Sequence, residues 1–168
     1  MGAWWADQLA PAHRDYMRSF EHLIELPLED DGALVAFHGS PRSFDDYIYA
    51  TTPDDELNRM LGDVRAPLLA GGHTHFQMVR RHEEALLLNP GSVGLPFRHD
   101  GAVMPIAPWA EYGLVTVESG RLGVELRRAS FDVGALCRLI ASSGMPHAEW
   151  WAGLWRTEQS PVPAAEDC

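Results

Sequence analysis

Apolar residues recur along the chain in short runs, each bounded by a turn signal. Ala33-Leu34-Val35-Ala36-Phe37 is continuously apolar, as in a strand buried on both faces, and it delivers His38 at its C-terminal end. Gly39-Ser40-Pro41 then breaks the strand. Residues 66–70 read as a second such strand, ending in Gly71-Gly72-His73-Thr74-His75. Three hairpins are predicted: residues 25–29 with 33–37 across Asp30-Asp31-Gly32, 76–80 with 85–88 across His82-Glu83-Glu84, and 113–118 with 122–128 across Ser119-Gly120-Arg121. Asn89-Pro90-Gly91-Ser92-Val93-Gly94 follows as a loop, and residues 95–110 as an irregular excursion.

Helical spacing appears in five places. Trp4, Trp5 and Leu9 fit a turn or short helix, and Pro11 opens a helix with Tyr16, Met17, Phe20, Leu23 and Ile24 at helical intervals. Thr52-Pro53-Asp54-Asp55 is an N-cap, a proline at the first position and acids against the positive dipole end; Leu57, Met60 and Leu61 follow and Gly62 stops the helix. Asp132 caps a helix bearing Leu136, Leu139 and Ile140, and residues 148–155 form a last amphipathic stretch. Trp155 is the last clear core position, so one domain over residues 1–156 and a flexible tail over 157–168 are expected.

Composition narrows the chemistry. The 168 residues suffice for one domain, and 46% hydrophobic with 22% charged residues is globular. A net charge of −11 argues against gripping a nucleic-acid polymer by its phosphates. All 13 basic side chains are Arg, which removes Schiff-base lysines, lysine-bearing phosphate loops and Ser–Lys dyads. The two cysteines, Cys137 and Cys168, make no disulfide framework or zinc-ligand spacing. The N-terminal residues lack signal-peptide features and no apolar run reaches the roughly 20 residues of a membrane helix. A cytoplasmic protein with no membrane partner is the expectation.

Three histidines follow short strands at their C-terminal ends: His38, His73 and His75. In an extended segment His73 and His75 face the same way, and Gly71 and Gly72 leave room where a backbone approaches a ligand. Neutral imidazoles suit zinc, manganese or iron, so the trio is a candidate metal cluster; the competing reading is of hydrogen-bonded surface histidines. His13, His22, His82, His99 and His147 have no partner at ligand spacing and read as surface or turn residues.

Taken in order, Phe37-His38-Gly39-Ser40-Pro41-Arg42, Gly72-His73-Thr74-His75 and Asn89-Pro90-Gly91-Ser92-Val93-Gly94 closely resemble the calcineurin-like metallophosphoesterase family, in its bacterial phosphodiesterase branch. The resemblance runs from about Ala10 to Trp155. It implies an α/β fold with a two-layer β-sandwich flanked by helices and a two-metal site (manganese, iron or zinc) at the strand ends. His38 and His73 would hold one ion and His75 the other, with Thr74 a spacer and Gly72 and Asn89 supporting the ligand loops. Arg42 and Arg98 would meet a substrate phosphate. The implied activity is hydrolysis of a phosphomonoester or phosphodiester of a nucleotide-like small molecule.

The sequence departs from the family pattern. No Asp-x-His, bridging Gly-Asp or Gly-Asn-His motif precedes His38. The chain is therefore expected to represent the C-terminal portion of the domain, lacking its first strands. It should hold at most one ion and be weakly active or inactive alone, since three neutral imidazoles cannot compensate the repulsion of two cations. Gly62-Asp63 imitates the Gly-Asp motif but lies in the wrong order and reads as helix termination; Asp45 and Asp46 read as a solvated loop. The alternative is a non-catalytic module that binds a metal or a partner, with self-association through a bare sheet edge. Under either reading the runs at 33–37 and 66–70 are expected to be poorly covered.

Overall fold

The short apolar runs become the centre of one sheet. The computed structural model describes residues 2–29, 32–97 and 106–155. In chain order its elements are α1 (Gly2–Asp7), α2 (Pro11–Arg18), β1 (Ile24–Pro27), β2 (Ala33–Ala36), α3 (Asp54–Leu61), β3 (Leu68–Ala70), β4 (Met78–His82), β5 (Ala85–Asn89), β6 (Trp109–Glu118), β7 (Arg121–Ser130), α4 (Val133–Ser142) and α5 (Ala148–Leu154). They divide between two compact units. One holds Glu21–Pro96 and Trp109–Ala129; the other takes described residues of 1–20, 97–108 and 130–168. No helix among the described residues is long and apolar enough to cross a membrane.

In the first unit the five-stranded sheet has the order β1-β2-β3-β5-β4, with β6 and β7 forming a separate two-stranded sheet. β2, β3 and β5 are parallel; β1 and β4 are antiparallel edges. Register puts Val35, Leu69 and Leu87 in one row across the sheet and Leu34, Leu68 and Leu86 in the row facing the other way. The first row, with Phe37, Ile48 and Met78, packs against Leu57, Met60 and Leu61 of α3 in a single core. An eight-residue helix is too short to persist alone, so this packing holds α3 in place. A fully buried leucine such as Leu57 contributes roughly 1.5–3 kcal/mol relative to exposure. On the opposite face Gly113 of β6 lies against Leu88 and Pro90, and the far end of the hairpin brings Val117 and Leu122 beside Gly32 and Pro67. The sheets form two layers, and the fold is α/β as expected.

The second unit contains α1, α2, α4 and α5. Asp132 caps α4 by accepting from the Ala135 amide at 2.9 Å, and the Cys137 thiol lies 3.7 Å from the Ala152 carbonyl. Phe131 meets Trp155 edge to face. The buried position of α4 is Cys137, whereas Leu139 is exposed.

Several expectations shift. The second helix ends at Arg18, and Ile24 opens β1 instead of continuing it. Pro53, not Thr52, is the residue before α3, because the Thr52 hydroxyl is taken by the Tyr49 amide at 2.8 Å. The 33–37 and 66–70 runs are better covered than expected: Val35, Phe37, Leu68 and Leu69 are all buried. Exposed apolar surface sits elsewhere, on Tyr16 and Met17 of α2, and on Ile24 and Leu26 of β1, all four of whose residues are exposed. The hairpin residues Asp30 and Asp31, with His99 and the tail 157–168, lie outside the described residues.

Candidate metal centre

Three parallel strands end at the same edge of the sheet, and the ladder continues past them. The Phe37 amide donates to the Ala70 carbonyl, Gly71 to Leu88 and Gly72 to His38, at 2.9, 2.9 and 2.7 Å. This stitching brings His38, His73 and Asn89 together although they are far apart in sequence. His38 Nε2 lies 2.9 Å from His73 Nδ1, with the rings edge to face. His73 Nε2 is buried and has no hydrogen-bond partner. Burial, then the neighbouring His73 and His75, lower the pKa of His38, against a smaller upward pull from Asp45. A lowered pKa keeps the imidazole in its neutral, ligating form.

The segment carrying His73 and His75 is not extended, contrary to the sequence reading. Both residues have positive φ, 57° and 61°, a conformation uncommon outside glycine. The Thr74 amide donates to the Gly72 carbonyl at 2.6 Å, closing a three-residue turn about His73 in its rarer, strained form. His75 is aimed separately: its Nδ1–H donates to the Leu95 carbonyl at 3.0 Å, the type of orienting bond common on metal-binding histidines.

Asn89 holds this turn. Only 1% exposed, it donates from Nδ2 to the Gly72 carbonyl (2.7 Å) and the Thr74 hydroxyl (3.0 Å), and its Oδ1 accepts from the Gly91 amide (2.9 Å). Thr74 is therefore a buried anchor rather than a spacer. Gly72 takes part through its backbone, and Gly71 makes room for the Phe37 ring, 3.0 Å from where a Cβ would stand, not for a ligand.

Arg42 is engaged in a fork with Asp46 (Nε to Oδ2 at 2.6 Å, Nη2 to Oδ1 at 3.2 Å) and reaches the Arg59 carbonyl, so its donors serve the loop after His38. Asp46 also accepts from the buried Ser40 hydroxyl at 2.6 Å, which makes it a loop anchor and not a solvated carboxylate. Arg98 lies outside the described residues. Asp63 is exposed just beyond α3, where Gly62 (φ 57°) ends the helix. Glu83 and Glu84 turn the β4–β5 hairpin at the opposite end of β5 from Asn89. His82, expected at the surface, is buried and pairs with Asn58 Oδ1 at 2.7 Å.

The sequence reading missed a polar network beneath residues 90–92. Buried Glu111 accepts from Trp109 Nε1 (3.0 Å) and Arg128 Nε (3.1 Å), and its amide donates to the Ser92 carbonyl (3.0 Å). Gln77 Nε2 donates to the Pro90 and Arg127 carbonyls. A glutamate inside the apolar start of β6 was the available signal.

Loop anchoring by Asp46 is testable. Its bond to Arg42 holds the carboxyl below the ordinary carboxylate value. Asp46→Asn is expected to cost about 1.5–3 kcal/mol in urea unfolding at neutral pH, the range for hydrogen bonds to a charged group. Because the native pKa is depressed, that increment is complete above the unfolded value of about 4 and is lost as pH falls through the native one. The gap between wild type and variant should therefore narrow on acidification; a gap independent of pH would count against the ionised fork.

Residues 9–109, more than half of the chain, match the family model of the calcineurin-like phosphoesterase superfamily domain. The chain belongs to this family. Two solved structures are similar in fold to it. A hypothetical protein from Pyrococcus horikoshii is 18% identical with a TM-score of 0.69, over 89% of this chain and 56% of that one. A metallophosphoesterase from Sphaerobacter thermophilus is 23% identical with a TM-score of 0.67, over 89% of this chain and 64% of that one. This chain thus spans less than two thirds of either relative's length. No curated protein matches the sequence. Within the phosphoesterase domain, the matched segment carries all three strand-end histidines and Asn89.

Divalent metals are the general cofactors of calcineurin-like phosphoesterases, and the residues present fit one ion better than two. Two nitrogens at about 2.0–2.1 Å from a common ion stand about 2.9–3.4 Å apart for bond angles from a right angle to the tetrahedral value. The 2.9 Å between His38 and His73 falls in that range, and without an ion it is the length of an N–H···N hydrogen bond between the two rings. Among the described residues, however, no group of three or more His, Cys, Asp or Glu is arranged to hold an ion.

Proposed function

We propose that this domain serves metal-dependent hydrolysis of a phosphoester of a nucleotide-like small molecule. The convergence of His38 Nε2 and His73 Nδ1 at the C-terminal edge of the parallel strands, in a phosphoesterase-family chain, carries the reading. When bound, a divalent ion such as manganese, iron or zinc supplies polarisation of a phosphoryl oxygen. His38 and His73 would hold the ion. Around them, Leu95 orients His75, Asn89 fixes the strained turn, and the Asp46–Arg42 fork sets the loop after His38. Among the described residues no group of three or more His, Cys, Asp or Glu is arranged to hold an ion, so hydrolysis by these residues alone is expected to be slow. The same shortage favours a second reading, a metal-binding module without turnover.

Calorimetric titration with zinc and with manganese, paired with hydrolysis of bis(4-nitrophenyl) phosphate, separates them. The wild type is expected to bind one ion, and His38→Ala or His73→Ala to weaken binding at least about 10-fold, the loss usual for a disturbed ligand set. Slow manganese-dependent turnover that vanishes in both variants supports the enzyme. Binding without turnover, even after a segment bearing the Asp-x-His, Gly-Asp and Gly-Asn-His motifs is added, supports the module. Equal affinities in all three proteins would remove the metal site.

A further inference from the structure

Beside the imidazole pair the chain displays two tyrosines that the metal reading does not use. Tyr47 and Tyr49 are 54% and 41% exposed, while Ile48 between them is 4% exposed and belongs to the core around α3. Burying Ile48 turns both flanking rings outward on one side. Their planes are nearly parallel, 14° apart, with centroids 6.2 Å apart. Tyr47 lies 4.5 Å from the His73 ring, and Tyr49 lies 6.3 Å from Phe76. The result is a continuous row of rings beside the candidate metal centre, from His73 through Tyr47 and Tyr49 to Phe76.

The row is held in advance. The Arg80 side chain, largely buried, donates from Nη1 to the carbonyls of Tyr49, Ala50 and Thr52 at 3.3, 3.2 and 2.8 Å, and from Nη2 to Asp54 at 2.6 Å. Thr52 and Tyr49 close the loop on each other through the Tyr49 amide and the Thr52 hydroxyl at 2.8 Å and the reverse backbone bond at 3.1 Å. A guanidinium bonded to three carbonyls of one loop, with a core isoleucine beneath, holds the backbone that presents the two rings. Rigid exposed rings offer stacking at low entropic cost.

We propose that Tyr47 and Tyr49 form a specificity shelf on which the planar base of a nucleotide stacks while its phosphate lies at His38 and His73. The assignment rests on the phosphoester reading above and narrows its substrate class to phosphoesters that carry an aromatic ring. Tyr47 touches His73 directly, so the shelf is continuous with the site it serves. Stacking on an aromatic side chain contributes about 1–3 kcal/mol per base, or about 5- to 150-fold in affinity.

The test compares AMP, ribose 5-phosphate and adenosine by calorimetry with manganese present, in wild type, Tyr47→Ala, Tyr49→Ala and Tyr47→Phe. AMP is expected to bind at least about 5-fold tighter than ribose 5-phosphate. Either alanine variant should lose that margin with ribose 5-phosphate binding unchanged, and Tyr47→Phe should keep it. Equal binding of AMP and ribose 5-phosphate in the wild type overturns the shelf while leaving the phosphate site standing. Adenosine binding that needs the tyrosines, with no gain from the phosphate, keeps the shelf and overturns the phosphoester reading. Alanine variants that change only the oligomeric state assign the rings to a protein contact and overturn the proposal, as does binding of none of the three ligands.

Discussion

Asn89→Leu is expected to lower stability by about 3–6 kcal/mol, the lower part of the roughly 3–9 kcal/mol to which 1–3 kcal/mol for each of three partners would sum. The partners are the Gly72 carbonyl, the Thr74 hydroxyl and the Gly91 amide. Leucine keeps the branched skeleton but is larger, so no cavity is left, and overpacking adds to the lost hydrogen bonds. The Gly72 carbonyl retains its bond from Thr74, which places the expected value below the arithmetic maximum. The second effect is on the site: Asn89 bonds both the Gly72 carbonyl and the Thr74 hydroxyl on either side of His73, so its loss should relax the positive φ there and separate the histidine pair. Urea unfolding and zinc titration on the same samples measure both. A variant within 1 kcal/mol of wild type, by the usual spread for surface changes, would show that the turn holds itself.

Gly91→Ala comes next, at about 2–5 kcal/mol. Its φ of 86° disfavours any side chain, and the new Cβ would meet the Glu111 carboxylate and stand 2.7 Å from Gln77 Cγ. Backbone strain costs about 1–3 kcal/mol and overpacking a similar amount. Glu111 cannot simply swing aside, because it is buried and bonded to Trp109 and Arg128. Thermal unfolding of Gly91→Ala beside Gly94→Ala, where nothing lies within 4 Å of the added methyl, gives the contrast: a large drop for the first and little for the second. Equal losses would mean that loop entropy, not the Glu111 contact, dominates.

Much of this was legible in the residues because the signals were local. Continuous apolar runs marked β2 and β3, the acids after Pro53 marked α3, and Asp132 marked the start of α4. The strand-end position of His38 and His73 also followed from the runs, since parallel strands deliver their C-terminal residues to one edge. What failed was conformation set by distant atoms. The turn that carries His73 and His75 takes positive φ because Asn89, on another strand, bonds its backbone, and no property of the Gly-His-Thr-His string itself announces that. The phosphate role of Arg42 came from resemblance alone, and its fork with Asp46 depends on a loop geometry that the string of residues does not announce. His82 and Glu111 were missed for the same reason: their burial is decided by Asn58 and by the β6–β7 pair. Tyr47 and Tyr49 carried no motif, and only the burial of Ile48 sets their direction.

The parallel arrangement of β2, β3 and β5 has a consequence for folding kinetics. The hairpins β1–β2 and β4–β5 close over a few residues, but Leu34 pairs with Leu68, and Leu68 with Leu86, across long intervals of chain. Loop-closure entropy delays such pairings relative to hairpins. His38 leaves the first hairpin, His73 follows the strand between them and Asn89 ends the second, so the site has no precursor in either hairpin alone. A partly folded chain holding both hairpins would be rich in strand and still blind to zinc. Metal capture during refolding would then mark the docking of β3 between its neighbours, later than any signal from secondary structure.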